Sequence, residues 1–252
     1  MIQRRAVAAV SSRTAKGSTG RRTPTLALPP ARAYIGAMDK MIEGYQRFLH
    51  HGWPERRALF RDLAENGQNP RTMVIACADS RVDPGMIFDA QPGELFVIRN
   101  VANLVPPYAP DGGQHATSAA LEFGVRLLKV TDLVVMGHAM CSGVRALLTG
   151  VPEEAADFLA PWISLARVAR GAVLRCTDPE EAQERCEQEV VKLSLENLMT
   201  FPWIARPVRA GTLRLHGMRF DIRSGALELL GPDGQFRRVT TTPVSMRPAC
   251  PV

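Results

Sequence analysis

The sequence has few cysteines, no long apolar run and, over its first 37 residues, no acidic side chain. A helix that crosses a membrane needs about 20 consecutive apolar residues, so we expect no membrane partner. Five cysteines are an odd number in a chain of 252 residues, which is too large to depend on disulfide bonds. We therefore expect reduced thiols, kept for metal binding or chemistry, in a reducing compartment such as the cytoplasm.

The basic character of the chain comes from its N-terminus. The net charge is +6, from 31 Lys and Arg against 25 Asp and Glu. Seven of the basic residues lie in residues 1–37, which leaves 24 basic and 25 acidic residues from Met38 onward. A nucleic-acid partner would need a basic excess on the folded part. The composition argues against such a partner; binding through the tail alone would have to vanish when residues 1–37 are deleted.

The N-terminal segment differs in composition from the rest of the chain. Residues 1–37 are rich in Arg, Ser, Thr and Ala, and we expect a disordered basic tail. A flexible tail, translation that begins at Met38 and an organelle transit peptide all remain open, the first two being favoured. Residues 38–252 are expected to form one globular domain with an N-terminal helical arm at about 38–65.

Short apolar runs alternate with helical patterns along the domain. Runs at residues 72–76, 94–98 and 132–136 lack polar alternation, as expected of strands buried on both faces. Strands that alternate with helices favour a parallel sheet covered by helices on both sides.

The remaining elements are predicted from helical periodicity and turn residues. Helices are expected at residues 38–49 (ended by Gly52 and Pro54), 55–65, 117–129, 153–170 and 179–201. A strand at 212–216 precedes a hairpin that pairs 219–222 with 226–229.

Three potential metal ligands follow two of the apolar runs. Cys77 ends the run MVIAC, and His138 and Cys141 follow the run DLVVM in the motif GHAMC. Because parallel sheets place ligands at the carboxyl ends of their strands, these side chains converge if the two strands are neighbours. Two thiolates and one imidazole are a known set for catalytic zinc, which leaves the fourth position to water.

Each of these residues alone would be weak support for a metal. A cysteine at a strand end is more often a small buried residue of the core. Their joint occurrence at two strand ends, with the motif CADSR around the first, favours a metal site. The other cysteines, Cys176, Cys186 and Cys250, lie at no comparable spacing and are expected to be structural or without a role.

At this point the chain resembles the β-class carbonic anhydrases. The resemblance consists of six motifs in the family's order: CADSRVDP (77–84), PGELFVIRNVANLVPPY (92–108), AALEFGVRLLKV (119–130), MGHAMCSGV (136–144), NLMTFPWI (197–204) and LHGMRFDIRSG (215–225). It implies an α/β fold with a central, mostly parallel sheet, four parallel strands plus an antiparallel edge strand, flanked by helices. It also implies a homodimer or larger homo-oligomer whose N-terminal helices wrap over the partner, with active sites at the interface.

The resemblance implies the reversible hydration of CO2 to bicarbonate and a proton, with a zinc-held hydroxide attacking CO2. Cys77, His138 and Cys141 would bind Zn2+. Arg81 would pair with Asp79 and keep it ionised, so that the carboxylate orients the water. In a closed, inactive state Asp79 could become the fourth zinc ligand. Because two thiolates weaken zinc as a Lewis acid, we expect activity to climb toward alkaline pH.

Five further positions match pocket residues of the family. Gln68 would hydrogen-bond bicarbonate, and Phe96 and Val101 would line the apolar CO2 pocket. Phe123 stands where plant-like members have Tyr, and Ser142 where the family usually has Gly. The main-chain N–H of Ser142 could still bind substrate, provided that its turn does not require a positive φ.

The two departures suggest an alternative, a catalytically impaired homologue that binds zinc or bicarbonate. The intact Cys77, Asp79, Arg81, His138 and Cys141 argue against it. Arg99 and Asn100 are expected to brace the loop after the second strand.

Overall fold

The structure, a computed structural model, describes residues 35–240. Residues 1–34 of the predicted basic tail and Cys250 lie outside the described residues, so these predictions stay predictions, whereas residues 35–37, which were predicted to belong to the tail, are helical. The chain forms two compact units that divide after Arg56. The α-helices are α1 (Ile35–Arg47), α2 (Trp53–Asn66), α3 (Pro84–Ile87), α4 (Ala116–Glu122), α5 (Ser142–Thr149), α6 (Leu159–Ser164), α7 (Arg167–Ala172), α8 (Pro179–Leu198) and α9 (Pro202–Arg209). The strands are β1 (Thr72–Cys77), β2 (Leu95–Asn100), β3 (Asp132–His138), β4 (Arg214–Asp221), β5 (Ala226–Leu230) and β6 (Phe236–Arg238).

The N-terminal arm is helical without a break. A π-helical turn, Phe48–Gly52, joins α1 to α2, so the prediction that Gly52 and Pro54 end the first helix was wrong. The N–H of Trp53 donates to the carbonyl oxygen of Phe48 and carries the helical bonding forward. Pro54 has no N–H to donate to the preceding turn, and the π-helical turn directly before it is where the helix accommodates this missing hydrogen bond.

The sheet has six strands in the order β2-β1-β3-β4-β5-β6. The first four are parallel, as predicted, and β5 and β6 are antiparallel. The edge on that side is β6 rather than β5, because a second hairpin adds the three residues Phe236–Arg238. The two strands predicted at 212–216 and 219–222 are one strand, since β4 pairs continuously with β3 from Arg214 to Phe220.

The core lies on both faces of the sheet. In β1, Met73 and Ile75 pack into one buried cluster, and Val74 and Ala76 pack into another on the opposite face. The absence of polar alternation in this run therefore predicted its burial correctly. The long helix α8 covers β3 and β4 with a buried stripe that includes Val190 and Val191.

The helix predicted at 153–170 is instead a 3-10 turn (Glu153–Ala155) followed by α6 and α7. Pro161 lies in the first turn of α6, where its ring has no preceding helical carbonyl to clash with. In a continuous helix from residue 153 the same proline would break the bonding to residue 157. Within residues 35–240, no helix has the length and apolar character needed to span a membrane.

Candidate active site

Two neighbouring strands bring the three potential ligands together. Cys77 is the last residue of β1 and His138 the last of β3, and these strands pair in parallel. Cys141 immediately precedes α5. The three residues are buried, and their ligand atoms all lie within 4.8 Å of one another. We call Cys77, His138 and Cys141 the Cys-His-Cys cluster.

His138 presents one ring nitrogen to the cluster. Its Nδ1 donates to the carbonyl oxygen of Ala139 at 2.9 Å, which leaves the lone pair on Nε2. Nε2 is buried and has no hydrogen-bond partner within residues 35–240. A buried polar atom without a partner is unusual in a folded protein, and a metal-binding histidine has this arrangement.

The two thiols face each other with their Sγ atoms 3.8 Å apart. This hydrogen bond lowers the pKa of Cys77 to about 4. The same bond, together with burial, raises the pKa of Cys141. The opposite shifts favour a thiolate on one of the two sulfurs, and a divalent cation could bind both sulfurs together with Nε2 of His138. The donor set fits zinc, for which two thiolates and an imidazole are ordinary ligands.

A carboxylate and a guanidinium lie beside the cluster. Arg81 donates from Nε to Asp79 Oδ1 at 2.9 Å and from Nη2 to Oδ2 at 2.7 Å. These hydrogen bonds hold the pKa of Asp79 well below its usual range. Asp79 Oδ2 lies 3.8 Å from Nε2 of His138. Arg81 also donates to the carbonyl oxygen of Met140 at 3.0 Å, which ties the two ligand loops together.

Arg99 and Asn100 brace different loops. Arg99 donates to the carbonyl oxygens of Cys77, Asp79 and Val82, so it holds the loop after β1 rather than the loop after β2 that we predicted. The reason is register, since the end of β2 lies directly beside the end of β1. Asn100 does hold the loop after β2, through two hydrogen bonds with the main chain of Leu104.

Sequence reasoning missed a polar group behind Cys141. Gln183 and Glu187 of α8 hydrogen-bond the main chain of Cys141, and Arg219 of β4 pairs with Glu187. A cavity of about 430 Å³ is lined in part by these three side chains and by Met140, and by no member of the Cys-His-Cys cluster. The available signal was the position of Glu187 between Cys186 and Val190 on the apolar stripe of α8.

Two of the predicted pocket residues lie at the same edge of the sheet as the cluster. Ser142 begins α5 in a helical conformation, and the left-handed residue of this turn is Met140, with φ of 57°. Serine in place of glycine is therefore free of backbone strain. The side chain of Val101 packs against Gly143, the residue after Ser142, because a Cβ built on Gly143 would lie 2.8 Å from Val101 Cγ1. Trp162 holds Val101 by donating to its carbonyl oxygen at 2.8 Å.

The other three lie toward the opposite end of the strands. Gln68 precedes β1, whose six residues separate it from Cys77 by about 16 Å at the rise of a β-strand. Phe96 pairs with Met73 near the start of β1, and its ring stacks on Phe123 at 5.6 Å. Within one chain, the structure does not bring these three side chains to the cluster.

A mostly parallel sheet with two thiols, an imidazole and a carboxylate–guanidinium pair at its edge defines an α/β protein with a site that could hold a metal ion. The sequence profile of the carbonic anhydrase family matches residues 72–227, which is more than half of the chain. The chain belongs to the carbonic anhydrases, in their β class. It is an enzyme that hydrates carbon dioxide.

Two relatives and two solved structures agree with this assignment. The chain is 38% identical over 203 residues to a carbonic anhydrase of Pseudomonas aeruginosa, covering 80% of this chain and 90% of that protein. It is 33% identical to beta carbonic anhydrase 3 of Arabidopsis thaliana, covering 77% of each chain. Among solved structures, the β-carbonic anhydrase CcaA superposes with a TM-score of 0.76 at 32% identity, covering 81% of this chain and all of that one. The tetrameric β-carbonic anhydrases of Sordaria macrospora superpose with a TM-score of 0.69 at 29% identity, covering 77% and 97%.

Proposed function

We propose that this carbonic anhydrase is zinc-dependent and that Cys77, His138 and Cys141 hold the ion. The observation that carries the proposal is the buried Nε2 of His138, which has no hydrogen-bond partner among residues 35–240 and lies within 4.8 Å of two sulfurs that are 3.8 Å apart. When bound, zinc lowers the pKa of water and so supplies a hydroxide near neutral pH for attack on CO2. The chain contributes the ligands, their orientation and the groups around the reacting water.

Asp79 is proposed to orient that water. Its Oδ2 accepts a hydrogen bond from the water, and Arg81 keeps the carboxylate ionised and directed by binding both of its oxygens. An ionised carboxylate accepts a hydrogen bond from the water. This orientation directs a lone pair of the water oxygen toward CO2. The pairing with Arg81 supports the open state over the one in which Asp79 becomes a fourth ligand.

Substrate binding is proposed to use both apolar surface and the main chain. Val101 offers CO2, which is nonpolar, a surface without donors. The N–H of Ser142 lies in the first turn of α5, where backbone donors have no helical partner and can bind a bicarbonate oxygen.

Gln68, Phe96 and Phe123 are proposed to join the site from a second copy of the chain. In their own chain they lie toward the opposite end of β1, so a single chain has only part of the pocket. The relatives from Sordaria macrospora are tetrameric, which supports a homo-oligomer here. The apolar side chains of α1 that are exposed, including Met41, Ile42 and Tyr45, are suited to cover a partner.

An impaired homologue that only binds zinc or bicarbonate is not favoured. The Cys-His-Cys cluster is intact, Asp79 and Arg81 are paired, and Ser142 adopts a helical conformation that its side chain tolerates. Because the thiols must stay reduced, we propose a reducing compartment such as the cytoplasm.

The central test is stopped-flow CO2 hydration with metal analysis on the wild type and on Asp79→Ala. We expect about one zinc per chain in both proteins and a loss of about 100-fold or more in kcat for Asp79→Ala. Asp233→Ala is the matched control, since Asp233 lies in the exposed β5–β6 turn. A wild-type protein that contains zinc but does not hydrate CO2 would refute the proposal. An activity that stays constant between about pH 6 and 9 would count against zinc ligation by two thiolates.

The two-copy pocket is tested by mixing chains. Asp79→Ala and Gln68→Ala dimers, unfolded together and refolded, form mixed dimers in which one composite site carries both changes and the other carries neither. Activity above that of either parent supports a shared site. If the pocket lay within one chain, each site would keep one defect and mixing would restore nothing.

A further inference from the structure

Cys141 has its main chain held on both sides by helix α8. Its N–H donates to Glu187 Oε1 at 3.0 Å, and its carbonyl oxygen accepts from Gln183 Nε2 at 3.0 Å. Gln183 Nε2 also donates to Glu187 Oε1 at 2.8 Å. Residues 183 and 187 are one helical turn apart, so a single face of α8 fixes both polar groups of this peptide.

The other oxygen of Glu187 is held by β4. Arg219 donates to Glu187 Oε2 from Nε at 3.1 Å and from Nη2 at 3.0 Å. Its Nη1 bonds to Glu184 and Glu228 at 3.3 and 3.0 Å. The side chains of Glu187 and Arg219 are almost completely buried. Four N–H groups therefore converge on one carboxylate. A glutamine at this position would offer only one acceptor oxygen and could not accept hydrogen bonds from all four donors.

The buried ion pair between Glu187 and Arg219 is better explained by the positioning of Cys141 than by its contribution to stability alone. A buried ion pair often contributes no more stability than apolar side chains of similar size. The residue before Cys141, Met140, adopts a left-handed φ of 57°, so the turn is one that a free peptide rarely adopts. A fixed main chain at residue 141 directs its sulfur at Cys77 and His138.

We infer that Glu187 is a positioning residue for the metal centre, acting through the main chain of Cys141, with Gln183 as its helper and Arg219 as its anchor. This inference rests on the proposed zinc site. Glu187 touches neither ion nor substrate; it sets the direction of a ligand, and groups of this kind typically change metal affinity about 10- to 100-fold when they are altered.

The test compares Glu187→Gln with Glu184→Gln. Both changes remove one carboxylate that Arg219 binds, and both lie on α8, but Glu184 has no bond to Cys141. Zinc affinity is measured by competition with a chelator, and the absorption of the Co2+-loaded protein in the thiolate charge-transfer region reports the direction of the Cys141 sulfur. We expect Glu187→Gln to bind zinc about 10- to 100-fold more weakly and to shift the cobalt band. Glu184→Gln should stay within about threefold, because exposed ion pairs contribute little.

A folded Glu187→Gln protein with wild-type zinc affinity and cobalt spectrum would overturn the inference, as would an equal loss in Glu184→Gln. If Glu187→Gln does not fold, Gln183→Met decides, since it removes the bond to the carbonyl oxygen of Cys141 and keeps a similar volume. We expect weaker zinc binding there as well, and unchanged binding would overturn the inference. A wild type that binds no zinc would instead refute the proposed function.

Discussion

Replacing Arg81 by Met would remove the orientation of Asp79 while leaving its carboxylate in place. The guanidinium makes three hydrogen bonds, to Asp79 Oδ1 at 2.9 Å, to Oδ2 at 2.7 Å and to the carbonyl oxygen of Met140 at 3.0 Å. The main-chain N–H of residue 81 donates to Oδ1 at 3.0 Å and would survive the substitution. Asp79 would keep the main-chain hydrogen bond to Oδ1 and lose the two side-chain hydrogen bonds, one to Oδ1 and the one that fixes Oδ2.

The expected loss of kcat/KM depends on how far the side chains of Arg81 and Asp79 are exposed to solvent. The Arg81 side chain is 45% exposed and that of Asp79 is 12% exposed, so solvent screens the pair. A bidentate pair of this kind is worth about 1–2 kcal/mol, below the full value of two buried charged hydrogen bonds. Since about 1.4 kcal/mol is a factor of ten in rate, kcat/KM should fall about 5- to 30-fold.

The pH profile separates orientation from charge. Without Arg81, the pKa of Asp79 should rise toward the ordinary value for Asp of about 3.9, which leaves it ionised at neutral pH. Stopped-flow hydration between about pH 6 and 9 should then show a lower rate with an unchanged shape. Arg126→Met, which breaks an exposed pair with Glu122, serves as the control. Wild-type kcat/KM in a zinc-loaded Arg81→Met protein would refute the reasoning.

Three further outcomes are expected. Removing zinc with a chelator should lower Tm by about 10 °C, since a tightly bound ion at a thousand times its Kd adds about 4 kcal/mol; an equal Tm for both forms would contradict zinc binding by the folded chain. Gly137→Ala should lower Tm by about 3–10 °C, because its Cβ would lie 2.8 Å from Val191 Cγ2; differential scanning calorimetry would detect this, and no change would mean that α8 moves aside. Arg214 holds the pKa of Asp132 low, so this carboxylate adds stability above its unfolded pKa of about 3.9 that is lost as pH falls. Asp132→Asn should therefore lose less stability than the wild type in urea titrations between about pH 5 and 3, and identical losses would count against the pair.

The parallel sheet was predictable because its signal is local. The runs at β1, β2 and β3 carry apolar residues on both faces, and each run is short enough to be a strand. Strand ends then locate Cys77 and His138 without further information, because side chains at the carboxyl ends of parallel strands share an edge.

Some boundaries were not predictable, since packing or backbone bonding overrode a local signal. Gly52 and Pro54 are ordinary helix breakers, yet a π-helical turn carries the helix past them. Conversely, the helical period over 153–170 continues across Pro161, but α6 begins only at Leu159, which places this proline in the first turn of the helix. Residues 212–222 read as two strands, and pairing with β3 makes them one.

By itself, the sequence determined the chemistry of the centre: the Cys-His-Cys cluster, and Asp79 with Arg81 two residues further on. Those residues lie at the ends of β1 and β3 or in the short loops that follow, and the apolar pattern defines both strands. Only the tertiary structure decided that Glu187 holds Cys141 and that Gln68 lies at the far end of β1. Both arrangements depend on contacts between segments that are distant along the chain or in the sheet. Local patterns of apolar and polar residues do not predict such contacts.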